Sequence, residues 1–368
     1  TSSFTTSANN ADITLNNVNA LTGAVTLSTT GSTGHATIDN GITAFNIAAS
    51  SVGGNLILTS GNSITDSGLV TVGGNLVATT DAGNGVIEMG TLAVDGTVQL
   101  TTDGNGAATV VNDAGLTFAA STVGGNLAAT TDANNGLINL GTLAVDGTVQ
   151  LTTNGSGNAT VVNDAGLTFA AATVGGALNA TATTSHMTDN GALTIAGTSS
   201  FTTSANNADI TLNNTNALTG TVALNTSGST GNALIDNGTT ALNMAASSVG
   251  GNLTLTGGNA SGIIDSGTVT VGGNLAATTD DNNGLINLGT LAVDGTVQLT
   301  TNGSGNATVV NDARLDFAAS TVGGNLAATT TTGNIVDSGV LTIAGTSSFT
   351  TSQNNADITL NNTNVLTG

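Results

Sequence analysis

The sequence predicts an all-β chain wound as a β-solenoid, and three observations carry that expectation. The first is repetition. A 51-residue block at 122–172 occurs again at 71–121 and 270–320, and shortened relatives of its two halves fill most of the remaining chain. A period of this size marks a fold in which each unit buries its apolar face only against the next. The second is composition: 38% hydrophobic residues but only 2% aromatic, with 52 Gly and no Pro. A thin core of Val, Leu, Ile and Ala suits stacked strands, and proline would interrupt their ladders. The third is local pattern. Segments such as GTVQLTT, NATVVND and GLTFAA alternate apolar and polar residues between Gly, Asn, Asp and Ser, with no stripe at helical spacing.

Cutting the chain at the recurring VGG, VDG and GTSS signals gives fifteen rungs of 20–28 residues, each with three short strands. They begin at residues 1, 24, 51, 71, 94, 122, 145, 173, 197, 221, 248, 270, 293, 321 and 345. Aligned on their first strand, inward residues at i and i+2 form one column. Leu76 and Ala78 precede Val98 and Leu100, then Leu127 and Ala129, then Val149 and Leu151, with Ser199 and Phe201 later. Large and small residues alternate along it, as an interior of fixed volume requires.

The outward position after each inward pair is Thr in thirteen of the fifteen rungs, including Thr79, Thr101, Thr130, Thr152, Thr202, Thr278, Thr300, Thr329 and Thr350. Stacked about 4.8 Å apart, these predict a structural hydroxyl ladder along one face of a rod roughly 70 Å long. Residues 1–368 read as a single continuous solenoid. The string TSSFTTSANNADITLNN at residue 1 returns at 198 and, with one substitution, at 346, so the chain reads as a window on a longer repeat protein.

Charge narrows the function. One Arg, no Lys and 22 acidic residues give a net charge of −21, which argues against nucleic acid and anionic membrane surfaces as partners. No cysteine is present, which removes disulfides and thiolate chemistry. No apolar run reaches 18 residues, the length a membrane-spanning helix needs.

The strings VGGNLILTSGNSITDSGLVTVGGNL, ALTIAGTSSFTTSANNADITLNN and STVGGNLAATT give the chain a resemblance to the repeat regions of filamentous-haemagglutinin-like bacterial exoproteins and adhesins. The resemblance implies a right-handed parallel β-helix at the surface of a Gram-negative cell, exported by a two-partner or autotransporter route. It further implies a non-enzymatic shaft whose partners are glycans or proteins of a host cell, a neighbouring cell or a matrix. A self-assembling extracellular filament, joined end to end, is the alternative expectation.

No catalytic set stands out. Arg314 replaces the Gly115 and Gly166 of related copies, and Glu88, the sole Glu, takes the place of Asn139 and Asn287. Both read as outward substitutions. His35 and His186 fall in different strings, GHATID and TSHMTD, with no shared ligand pattern. The acidic turns TDAGNG, TDANNG and TDDNNG make Asp81, Asp132, Asp280 and Asp281 the candidates for calcium, although they lack the terminal Glu of an EF-hand loop. Asn154, Asn158, Asn179 and Asn213 open glycosylation-type sequons on expected turns. Flat Thr arrays can order ice, but paired Thr-Thr sends neighbouring side chains to opposite faces.

Overall fold

A computed structural model describes residues 1–132 and 134–368, and among these no helix occurs. The chain forms two compact units, Thr1–Asn179 and Ala180–Gly368, each a parallel β-solenoid, with about seventeen turns between them.

In the first unit the chain alternates between two sheets, here sheet A and sheet B. Leu56–Ser60 lies in sheet B, Ile64–Asp66 and Val70–Val72 in sheet A, Leu76–Thr80 in B, Ile87–Val94 in A and Thr97–Thr101 in B. One turn is therefore two half-turns, one in each sheet. Every turn settles in parallel register on the last, with Leu56 beside Leu76, Leu76 beside Val98 and Ala108 beside Leu127. Half-turns come in two shapes. Some are straight strands such as Leu76–Thr80, and others are angled pairs such as Leu116–Phe118 with Ser121–Val123.

This alternation corrects the single column expected from the sequence. A 51-residue block contains five half-turns, an odd number, so successive copies begin on opposite sheets. Leu76 of the block at 71–121 lies in sheet B, and Leu127 of the block at 122–172 lies in sheet A. Val98 is therefore followed by Phe118 and not by Leu127, whose neighbours are Ala108 and Val149. The VGG and VDG signals mark two corners of a block that makes two and a half turns, so counting them gives fifteen rungs where the fold has about seventeen.

The expected alternation of volume holds within the corrected columns. Ala78 sits between Leu58 and Leu100, and Ala129 between Val110 and Leu151, all buried. The second unit repeats the arrangement, with Ala277 between Leu255 and Leu299, and Ala328 between Val309 and Phe349. Where Phe349 follows Ala328, its ring meets Phe317 edge-on at a centroid distance of 6.3 Å.

Corners are where parallel ladders fail, and each kind has its own side-chain substitute. In the Thr-Thr pairs the second Thr points inward. Thr102 Oγ1 donates to the Gly106 carbonyl at 2.7 Å and accepts from Gly124 N–H at 3.0 Å. A Cβ on Gly124 would lie 1.6 Å from the Gly104 carbonyl oxygen, so only glycine permits the turns to stack this closely. Asn112 is 1% exposed and reads as an inserted peptide group. Its Oδ1 accepts from Val94 N–H at 2.9 Å, and its Nδ2 donates to the Val94 and Gly115 carbonyls. Asn163 and Asn311 do the same with Val145 and Val293.

Where an angled half-turn lies over a straight one, Ser121 Oγ accepts from Leu100 N–H at 3.0 Å and donates to the Ala119 carbonyl at 2.8 Å. Ser320 repeats this with Leu299 and Ala318. The block at 122–172 carries Ala172 at the corresponding place.

Three substitutions test this corner chemistry in urea denaturation. Gly124→Ala is expected to lose more than about 2 kcal/mol, because the obstacle is backbone. Ser121→Ala should lose about 1–2 kcal/mol, and Ala172→Ser should gain about 1 kcal/mol by supplying the missing hydroxyl. An unchanged midpoint for Ser121→Ala would contradict its bridging role.

Candidate functional site

The repeated outward feature is the threonine hydroxyl, and the corrected register divides it into rows. In the first unit Thr59, Thr79, Thr101 and Thr122 stand side by side on sheet B, whereas Thr130, Thr152 and Thr173 do so on sheet A. In the second unit Thr256, Thr278, Thr300, Thr321 and Thr342 form a row on sheet A. Its sheet B carries Thr202 beside Asn225 and Thr329 beside Thr350.

One unbroken ladder on one face is thus replaced by shorter rows on two faces, because five half-turns carry each new block to the other sheet. Thr122, Thr173, Thr321 and Thr342 extend rows in a way the sequence reading missed. They lie in the second arm of angled half-turns, where a Thr between two inward residues, as in STV, was the available signal.

The four calcium candidates lie at corners closed by their own hydrogen bonds. Thr80, Thr131 and Thr279 donate Oγ1–H to the carbonyls of Gly85, Gly136 and Gly284 at 2.8–3.0 Å. Asn84, Asn135 and Asn283 adopt positive φ, and their Oδ1 atoms accept backbone N–H groups of Asn105, Ser156 and Ser304 in the next turn. The Thr hydroxyls and Asn amide oxygens of these turns are therefore already committed to hydrogen bonds. Asp81, Asp132 and Asp280 are exposed and Asp281 is half-exposed. Among the described residues no three His, Asp or Glu side chains converge as a metal-binding group.

Both histidines belong to a ladder that is otherwise built of Asn and Asp. Asp12 Oδ1 accepts from His35 N–H, His35 Nδ1 from Asn55 N–H, Asn55 Oδ1 from Asn75 N–H and Asn75 Oδ1 from Thr97 N–H, all at 2.8–2.9 Å. In the second unit His186 Nδ1 accepts from Asp209 N–H at 2.9 Å, and the series continues through Asp209, Asn232, Asn252 and Asn274 to Thr296 N–H.

The remaining candidates also have local partners. Arg314 pairs with Asp316 at 3.0 Å. Glu88 lines a shallow cleft with Thr65, Asp66, Gly90 and Thr109. There the Asp66 carboxylate accepts from Gly90 N–H, Thr91 N–H and Thr91 Oγ1–H, and Asp265 repeats this with Gly289 and Thr290. Of the sequon residues, Asn154 donates Nδ2–H to the Asp132 carbonyl, Asn158 Oδ1 accepts from Ala177 N–H and Asn213 N–H donates to Asp189. Asn179 ends the first unit.

Two carboxyls are shifted in opposite directions. Burial pushes Asp337 up, but hydrogen bonds from the Asn364 amide and the Asn361 and Asn362 N–H groups outweigh it and hold the group below 3.8. Although the Asp280 side chain is exposed, partial desolvation at its corner raises the carboxyl, and the Asp236 and Asp281 charges add to this against a lowering backbone hydrogen bond. The lowered Asp337 stabilises the fold above the unfolded carboxyl value, and that contribution is lost as pH falls through the lower folded value. Asp280 has the opposite sign, so its cost is relieved as pH falls through its raised value. Thermal midpoints between about pH 2 and pH 7 are expected to show a shallower acid limb in Asp337→Asn and a higher neutral midpoint in Asp280→Asn. An acid limb unchanged in Asp337→Asn would contradict the assignment.

Comparison with known proteins adds a family. A model described as repeats of unknown function (DUF5649) matches residues 33–89, 156–225 and 304–368. No match was found among curated proteins or among solved structures. The three matched segments together cover more than half of the sequence, and the chain belongs to the DUF5649 repeat family.

Proposed function

We propose that this chain is a non-enzymatic shaft of a bacterial cell-surface adhesin or exoprotein, outside a Gram-negative cell, that projects a binding region or makes weak repeated contacts along its own length. The observation that carries the reading is the use of its polar groups. Asn Oδ1, Thr Oγ1, Ser Oγ and both imidazoles bond from one turn to the next, as in the series from Asp12 through His35, Asn55 and Asn75 to Thr97. Such bonds favour mechanical continuity, and each added repeat adds length without a new core.

The rows of hydroxyls at sheet spacing supply identical outward groups in series, which suits avidity better than a single tight pocket. Glycans or proteins of a host cell, a neighbouring cell or a matrix are the partners this reading gives them. The net charge of −21 favours neutral or basic partner surfaces over anionic lipid.

Immunogold labelling of native cells with an antibody raised against the purified chain tests the placement. Gold particles on the outer surface, removed by external protease, are the expected result. Label confined to the cell interior would overturn the proposal. For the adhesive part, beads coated with the chain should bind matrix or cell-surface glycoprotein with an avidity that rises with coating density, and no retention above uncoated beads would remove it.

A further inference from the structure

We propose that the 51-residue block is a face-switching cassette, whose removal or addition closes without a seam and moves everything beyond it in the same unit to the opposite sheet. The inference rests on the half-turn count and stands apart from any role at a cell surface. In the first unit, the strand after VGGNL lies in sheet B for Leu76–Thr80 and in sheet A for Leu127–Asn134, one block later. The second unit shows the same exchange independently. Leu275–Thr279 opens its block in sheet A, and Leu326–Thr330, which follows that block, lies in sheet B.

The junction chemistry makes the block removable. Deleting residues 71–121 joins Val70 to Thr122, which restores the Val-Thr-Val-Gly-Gly-Asn-Leu string that Val70–Leu76 had before. Leu127 then takes the place of Leu76 beside Leu56, Ala129 that of Ala78 beside Leu58, and Thr130 that of Thr79 beside Thr59. The inward residues match in type at this junction, and along the rest of the block only Leu140 for Met89 and Ala172 for Ser121 differ, so the core volume is nearly conserved. The outward groups, by contrast, all change sides. Thr130 and Thr152, on sheet A in the full chain, come to extend the sheet B row that holds Thr59. Loss of two blocks restores the original face, because ten half-turns make five whole turns. Block number therefore sets which side of the solenoid presents its hydroxyl rows, as well as its length.

The chain has no cysteine, so engineered disulfides report neighbours without background. Adjacent in-register Cα atoms about 4.8 Å apart fall inside the disulfide range of roughly 4.4–6.8 Å. In the full chain, Thr59→Cys with Thr79→Cys should cross-link on mild oxidation, and Thr59→Cys with Thr130→Cys should not. In the chain lacking residues 71–121, the Thr59→Cys and Thr130→Cys pair should cross-link within the monomer, with the strand signature in far-ultraviolet circular dichroism retained. Cross-linking of Thr59 with Thr130 in the full chain would overturn the proposal. So would its absence in a folded deletion chain, or loss of the strand spectrum on deletion, since a cassette must be removable.

Discussion

The structure depends on one constraint: every backbone N–H and C=O in a turn has to find its partner in the turns next to it, about 4.8 Å away. Straight half-turns meet it by parallel ladders, such as Leu76–Thr80 on Leu56–Ser60. Corners cannot, because the chain changes direction and the ladder breaks. Inward Asn, Thr and Ser then act as detached peptide groups, at Asn112, Thr102 and Ser121 among others. Glycine fills the places where one turn's carbonyl leaves no room for a Cβ on the next.

The same constraint explains the choice of neutral residues. A side chain that recurs on every turn faces its own kind at sheet spacing, and like charges there repel by close to 1 kcal/mol even in water. The repeated columns are accordingly Asn and Thr, with charged residues dispersed among them. Asp12 and Asp209 enter an Asn ladder singly, at the acceptor position where a carboxylate serves as well as an amide. Two carboxyls depart from the ordinary value in opposite directions. Asp280 is raised by partial desolvation and then by the Asp236 and Asp281 charges, while Asp337, surrounded by donors, is lowered.

Much of the fold was legible because periodicity reports on burial directly. The alternation of Leu, Val and Ala gave strands, the repeats gave a solenoid, and the Thr-Thr pairs were correctly split between two faces. The number of turns and the facing of each block were less accessible. A block of five half-turns and one of four or six carry the same local pattern, and similar strings such as VGGNLVATT and VGGNLAATT look equivalent whichever sheet they occupy. Facing is decided by parity summed over corners, and the angled half-turn at LTFAASTV hides one corner in a run with no Gly, Asn or Asp to mark it. The histidines were legible only as isolated residues. Their role follows from occupying an Asn position, which becomes visible once His35 is seen beneath Asn55.

Dipolar broadening between nitroxide labels reads out whether a block makes two and a half turns. Thr101 and Thr130 would occupy successive rungs of one face if each VGG or VDG signal opened one turn. In the structure Thr101 neighbours Thr79 and Thr122, and Thr130 neighbours Val111 and Thr152. Strong broadening is expected for labels at 79 and 101 and none at contact range for labels at 101 and 130. Equal broadening for both pairs would show a whole number of turns per block and contradict the half-turn count.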